Sequence, residues 1–167
     1  MDNIRRQLSL FLPEPERSQL DVIRQKYDPK QQAIIPAHVT LCRDEELEPW
    51  AALEERLVSL KSIEITFVLG APTLIEAGGV LVPMANSSTA FDDLRHRLLG
   101  DRCTRQIPHI TLLHPRHAAG KEHAYEAISH EVLPTSVTLT EISLIEQVNG
   151  GIWNILSRYP SGAHELL

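Results

Sequence analysis

Cysteine is nearly absent from this chain. Two occur among 167 residues, Cys42 and Cys103, each beside an arginine. Neither a zinc knuckle nor a disulfide framework can be built from that pair, so two reduced thiols in a cytoplasmic protein are expected. Positive charge is also in short supply: 16 Lys and Arg against 22 Asp and Glu leave a net charge of −6. Broad binding along duplex nucleic acid needs a basic surface and is not expected. Long apolar runs are missing too. The longest early one, Leu8 to Leu12, is interrupted by Ser9, so neither a signal peptide nor a membrane span is expected. The helix-borne His-Glu-x-x-His pattern of zinc hydrolases does not occur. The remaining composition, 43% hydrophobic and 23% charged, is that of an ordinary globular protein, and the length suits one domain over 1–167.

Against these absences stands one repeated pattern. Pro108-His109-Ile110-Thr111-Leu112 is echoed upstream by Pro36-Ala37-His38-Val39-Thr40-Leu41, with the two histidines 71 residues apart. In an extended strand the side chains alternate faces. His and Thr then share one face, while Ile110, Leu112, Val39 and Leu41 supply the other to a core. At about 3.3 Å of rise per residue, the His and Thr Cα atoms of a pair lie roughly 7 Å apart, a spacing that one phosphate can bridge.

Taken in order, the chain suggests a strand over 7–12, ended by Pro13, and then an amphipathic helix carrying Leu20, Ile23 and Tyr27. Asp28-Pro29 ends that helix, and a loop leads to the His38 strand. Trp50, Leu53, Leu57 and Leu60 mark a second helix; residues 63–69 and 80–82 read as strands. The second half replays this order. Thr89 and Asp92 form a candidate capping box ahead of the Phe91, Leu94, Leu98 stripe. After the His109 strand, a fourth helix shows Tyr125, Ile128 and Val132 at helical spacing. A strand over 137–148, an Asn149-Gly150-Gly151 hairpin and a return strand over 152–159 follow, then a frayed tail over 160–167. The offset near 71 persists throughout, which suggests two internal repeats, roughly 7–82 and 79–159. The expected class is α+β: two lobes of sheet and helix related by a pseudo-twofold axis, with both His/Thr strands facing a central cleft.

Two histidines on opposite sides of a phosphodiester can divide proton transfer between them, since imidazole titrates near neutrality. One takes a proton from the attacking water or hydroxyl, and the other gives one to the departing ribose oxygen. Thr40 and Thr111 can donate hydrogen bonds to the oxygens that gather charge. This scheme needs neither metal nor cofactor.

These residues carry a resemblance. His38-Val39-Thr40-Leu41 and His109-Ile110-Thr111-Leu112 resemble the paired His-x-Thr motifs of the 2H phosphoesterase superfamily, the 2′,5′ RNA ligase-like proteins and cyclic phosphodiesterases. Length, motif spacing and the duplicated strand–helix order resemble that family over nearly the whole chain. The resemblance implies metal-independent action on 2′,3′-cyclic phosphates, related cyclic nucleotides or 2′,5′ linkages. It also implies His38 as general acid, His109 as base, and Thr40 and Thr111 as phosphate holders. The expected partner is a cyclic nucleotide or an RNA 3′-end with a cyclic phosphate, met by a monomer. Two alternatives remain open: a non-catalytic module that binds RNA ends or phosphorylated ligands, and a 2′,5′ RNA ligase.

Arg116 follows the His109 strand behind the stiff Pro115 and is the candidate to touch substrate phosphate. Arg95 and Arg97 read as a solvated helix face. His109 and His114, five apart, should face opposite ways unless a bulge intervenes, so a metal cluster with His117 is not expected. Trp153 and Tyr159 could stack a base, although core or surface placement is the simpler expectation.

Overall fold

The protein was analysed as a computed structural model that describes residues 1–160; of the tail expected over 160–167, all but Pro160 lies outside the described residues. The strands are β1 (Ile4–Phe11), β2 (His38–Cys42), β3 (Ile65–Val68), β4 (Thr73–Leu74), β5 (Val80–Pro83), β6 (His109–Leu113), β7 (Ser136–Leu139), β8 (Ile142–Val148) and β9 (Trp153–Tyr159). The helices are α1 (Glu16–Tyr27), α2 (Pro29–Ile34), α3 (Trp50–Val58), α4 (Thr89–Leu99) and α5 (Ala124–Ser129). Seven strands form one sheet in the order β4-β5-β6-β2-β1-β8-β9, and β3 pairs with β7 in a second. All the registered pairings are antiparallel. The mixed α+β class is therefore the observed one. Among the described residues, no helix is long and apolar enough to cross a membrane.

The two motif strands meet at the centre of the large sheet, where Val39 pairs with Ile110. Those residues are 71 apart, so each is the other's counterpart in the sequence echo. The flanking pairings match as well. Phe11, Leu10 and Ser9 lie opposite His38, Val39 and Thr40, as Pro83, Val82 and Leu81 lie opposite His109, Ile110 and Thr111. The halves are also interleaved. β4 pairs with β5, whereas β8 of the second half reaches back to β1 of the first. In the small sheet Ile65 faces Leu139 and Val68 faces Ser136, so shifting either pair by 71 residues gives the other.

Leu20 and Ile23 of α1, and Phe91, Leu94 and Leu98 of α4, are buried as their spacing requires. Each helix packs on the other half's motif strand, α1 on β6 and α4 on β2. Four local expectations are corrected. The loop after Asp28 contains α2: the Asp28 side chain accepts the Gln31 N–H, and Pro29 occupies the first turn, where its missing N–H costs nothing. Thr89 is the first helical residue and not the cap. Ser88 precedes it and donates its hydroxyl to Asp92 Oδ2 instead of capping the backbone. Of the fourth helical stripe only Ile128 reaches the core. α5 ends at Ser129, leaving Val132 91% exposed and Ile128 as the buried anchor. The strand expected over 137–148 is two strands, because β7 serves the small sheet and β8 the large one. The hairpin at 149–151 forms as expected: Asn149 and Gly150 have φ of 52° and 73°, and Gly151 N–H bonds to Val148 O, the mark of a type I′ turn.

Candidate active site

β2 and β6 have the same burial alternation: His and Thr half-exposed, with the apolar residues buried on the reverse face. With Val39 opposite Ile110, the antiparallel register sets His38 beside Thr111 and Thr40 beside His109. The histidines thus occupy one diagonal of a four-residue patch and the threonines the other, with diagonal Cα distances of about 7–8 Å. All four side chains line one cavity of about 240 Å³.

The two imidazoles are held alike. His38 Nδ1 lies 2.8 Å from the Pro36 carbonyl oxygen, and His109 Nδ1 lies 2.9 Å from that of Ile107. A carbonyl only accepts, so each Nδ1 carries a proton and donates it. Each Nε2 is left for the cleft, as a base when the ring is neutral and as an acid when it is charged. Burial pushes His38 down to about 4; the Pro36 bond opposes this shift, and the nearby charges of Arg24 and His109 reinforce it.

Four arginines line the cavity, Arg5, Arg24, Arg43 and Arg116, together with Gln7, Gln31, Gln106 and His114; among the described residues no carboxylate does. An acidic protein has thereby gathered positive charge at one place, which favours entry of anions. Arg116, the candidate for phosphate contact, lines the cavity, its Nε 3.3 Å from His114 Nδ1. Trp153 also lines the cavity, beneath the Arg5 guanidinium at 5.6 Å. Tyr159 is buried in the core.

Arg95 corrects the expectation of a solvated face, and Arg24, one of the cavity arginines, is its match. Arg24 and Arg95, again 71 apart, are each 1% exposed. Arg24 donates to Asp21 (2.6 Å), to Ile35 O (2.9 Å) and to Thr111 O (3.2 Å). Arg95 grips both oxygens of Glu46 (2.7 and 3.1 Å) and donates to the carbonyls of Thr104 and Leu41. Burial, the largest single influence, would raise the Glu46 carboxyl, but the Arg95 hydrogen bonds, the Arg43 N–H and the charges of both arginines together leave it below its ordinary value. Each arginine thus ties a helix of one half to the motif strand of the other. Gln106 completes the frame by donating to Thr40 O (3.1 Å). The available signal was a charge within an apolar stripe: Arg24 follows Ile23, and Arg95 follows Leu94.

His114 lies on the cleft side, like His109. Its backbone N–H donates to buried Asp28 Oδ2 (2.8 Å), and His117 turns away to bond Asp28 Oδ1 (2.7 Å). Burial first, then Arg116 and His117, push His114 down to about 4. Among the described residues no three His, Cys, Asp or Glu side chains converge as a metal site would require. Cys42 and Cys103 are both free.

An α+β fold that brings two His-x-Thr pairs together in one cationic cleft is the arrangement of a 2H phosphoesterase. The chain belongs to the 2′-5′ RNA ligase superfamily, whose family model matches residues 12–151. No curated protein gives a significant match. Solved structures with the same fold include Escherichia coli LigT complexed with phosphate, at 21% identity and TM-score 0.60, covering 95% of this chain and 98% of that one. LigT complexed with 3′-AMP gives 20% identity and TM-score 0.61, over 93% and 96%. A protein described only as a phosphoesterase gives 20% and 0.59, over 94% and 98%. Family membership supports an enzyme of phosphodiester chemistry.

Proposed function

We propose that the protein is a metal-independent phosphodiesterase that opens a 2′,3′-cyclic phosphate on a nucleotide or RNA end. The observation that carries this reading is the matched pair of imidazoles, each with Nδ1 bonded to a carbonyl and, among the described residues, no partner on Nε2 at the cleft. LigT, which shares the fold, has been crystallised with phosphate and with 3′-AMP, ligands of the kind this cleft is proposed to hold.

In the proposed reaction a water attacks phosphorus and loses a proton to one Nε2. The bond from phosphorus to one ribose oxygen breaks, and that oxygen takes a proton from the other Nε2–H. Thr40 and Thr111 hold the non-bridging oxygens, and the arginines compensate their charge. Acid, base and anion donors all come from the chain. His38, kept neutral by burial, suits the role of base, with His109 as acid; this is the reverse of the division implied by the resemblance. We also read the shared 71-residue offset as a single domain built from two interleaved repeats.

The test is turnover of a 2′,3′-cyclic nucleotide and of an oligonucleotide ending in a cyclic phosphate, by wild type, His38→Ala and His109→Ala, with and without a chelator. Each alanine variant should lose on the order of a hundredfold or more in kcat. Wild-type rates in both variants would remove the histidines from the mechanism, and loss of wild-type turnover in chelator would remove its metal independence.

A further inference from the structure

Beyond the paired motifs, the cleft contains a second matched pair of positions that differ in chemistry. The ladder between β1 and β2 skips a residue: Leu8 pairs with Cys42 and Ser9 with Thr40, leaving Leu41 as a bulge. The ladder between β5 and β6 skips at the same place, with Val80 on Leu113, Leu81 on Thr111 and Leu112 left over. A bulge reverses the facing of all that follows it. Leu41 and Cys42, and likewise Leu112 and Leu113, are buried consecutively, and the next residue in each strand returns to the cleft. Those residues are Arg43 and His114, 71 apart, and both line the cavity.

They meet different surroundings. Three carboxylates follow Arg43 in sequence, Asp44, Glu45 and Glu46. Asp44 Oδ1 accepts the Arg6 N–H (2.7 Å), and Glu46, whose carboxyl the Arg43 charge helps to lower, is held bidentately by Arg95 and accepts the Arg43 backbone N–H (2.8 Å). The Arg43 guanidinium has no hydrogen bond or ion pair among the described residues. The other cleft arginines are engaged: Arg24 with Asp21 and two carbonyls, Arg116 with His114, Arg5 with the Trp153 ring. His114 Nδ1 accepts from Arg116 N–H (3.1 Å) and faces Arg116 Nε (3.3 Å). An imidazole whose Nδ1 accepts must carry its one proton on Nε2 and is neutral.

We propose that Arg43 is the principal phosphate-binding cation of this cleft and that His114, at the matching position, is an uncharged hydrogen-bond donor. The two ends of a nearly symmetric site are thereby made unequal, and the charge on Arg43 sets which way round a phosphodiester lies. The idea rests on the proposed function for the direction of reaction, but not for phosphate binding.

Two measurements test it. The first is calorimetric binding of inorganic phosphate to wild type, Arg43→Gln and His114→Gln, which needs no turnover. Arg43→Gln should weaken binding at least tenfold, and His114→Gln less than threefold. Unchanged binding in Arg43→Gln, or an equal loss in both variants, overturns the assignment. Arg43 is exposed and its side chain makes no bond among the described residues, so thermal unfolding of Arg43→Gln should match wild type; a lowered Tm would mean that the side chain has a structural role and would also overturn it. The second measurement is the ratio of 2′- to 3′-phosphate product from a cyclic nucleotide, in wild type and in the exchanged double variant Arg43→His/His114→Arg. A shift of that ratio toward the other product supports the polarity; the wild-type ratio refutes it. Failure of wild type to turn over any cyclic phosphate would defeat the proposed function and the polarity claim together, while the calorimetry would still decide the role of Arg43.

Discussion

Replacing Arg95 with methionine removes a buried charge whose partners cannot follow it out. Glu46 would lose both of its bonds to the guanidinium, and the carbonyls of Leu41 and Thr104 would lose a donor. Breaking one side of a buried pair costs about 3–5 kcal/mol, because the remaining charge stays desolvated. The Glu46 side chain is 18% exposed and still accepts the Arg43 N–H. Part of its solvation can therefore be recovered, and the lower half of that range is expected. For a chain of this size, where each kcal/mol moves Tm by roughly 2–4 °C, about 3 kcal/mol should lower Tm by roughly 6–12 °C. The assay is urea unfolding of wild type, Arg95→Met, Glu46→Leu and the double variant. The double variant should be less destabilised than the sum of the singles, because removing both partners leaves no orphaned charge. A loss below about 1 kcal/mol in Arg95→Met, or strict additivity in the cycle, would refute the claim that this pair holds α4 to the first motif strand.

The pH dependence of kcat/KM on a cyclic nucleotide should be bell-shaped, since one imidazole must be neutral while the other is charged. With His38 pushed to about 4, the acid limb should fall well below the ordinary histidine value of about 6.5; an acid limb at or above 6.5, with chemistry rate-limiting, would refute His38 as the base. Stability should also respond. His38 and His114 both lie near 4 when folded, so between about 6.5 and 4 the unfolded chain binds more protons than the folded one. Unfolding free energy should therefore fall as pH is lowered through that window, by at most about 1.4 kcal/mol per pH unit for each ring. Urea midpoints measured from pH 7 to pH 4 check this, and His114→Gln should flatten the slope.

Much of the site was legible in the sequence because it depends on a period of two. His38-Val39-Thr40-Leu41 and His109-Ile110-Thr111-Leu112 fix which side chains share a face wherever those strands lie, and the buried stripes of α1 and α4 follow from their spacing. What the sequence could not carry were facts about which segments become neighbours. A bulge is a mismatch between two ladders, so neither Leu41 nor Leu112 announces it. Hence the return of Arg43 and His114 to the cleft appeared only with the pairing of β1 on β2 and β5 on β6. Arg95 looks solvated on its own helix and becomes buried because α4 lands on β2, beside Glu46. The strand expected over 137–148 divides for a similar reason, its two parts being claimed by different sheets. Local alternation and spacing depend on bonds along the chain, and the sequence alone determined them. The burial of a charge, the exchange of outer strands and the meeting of two motifs at Val39 and Ile110 depend on contacts between distant residues, and only the tertiary structure decided those.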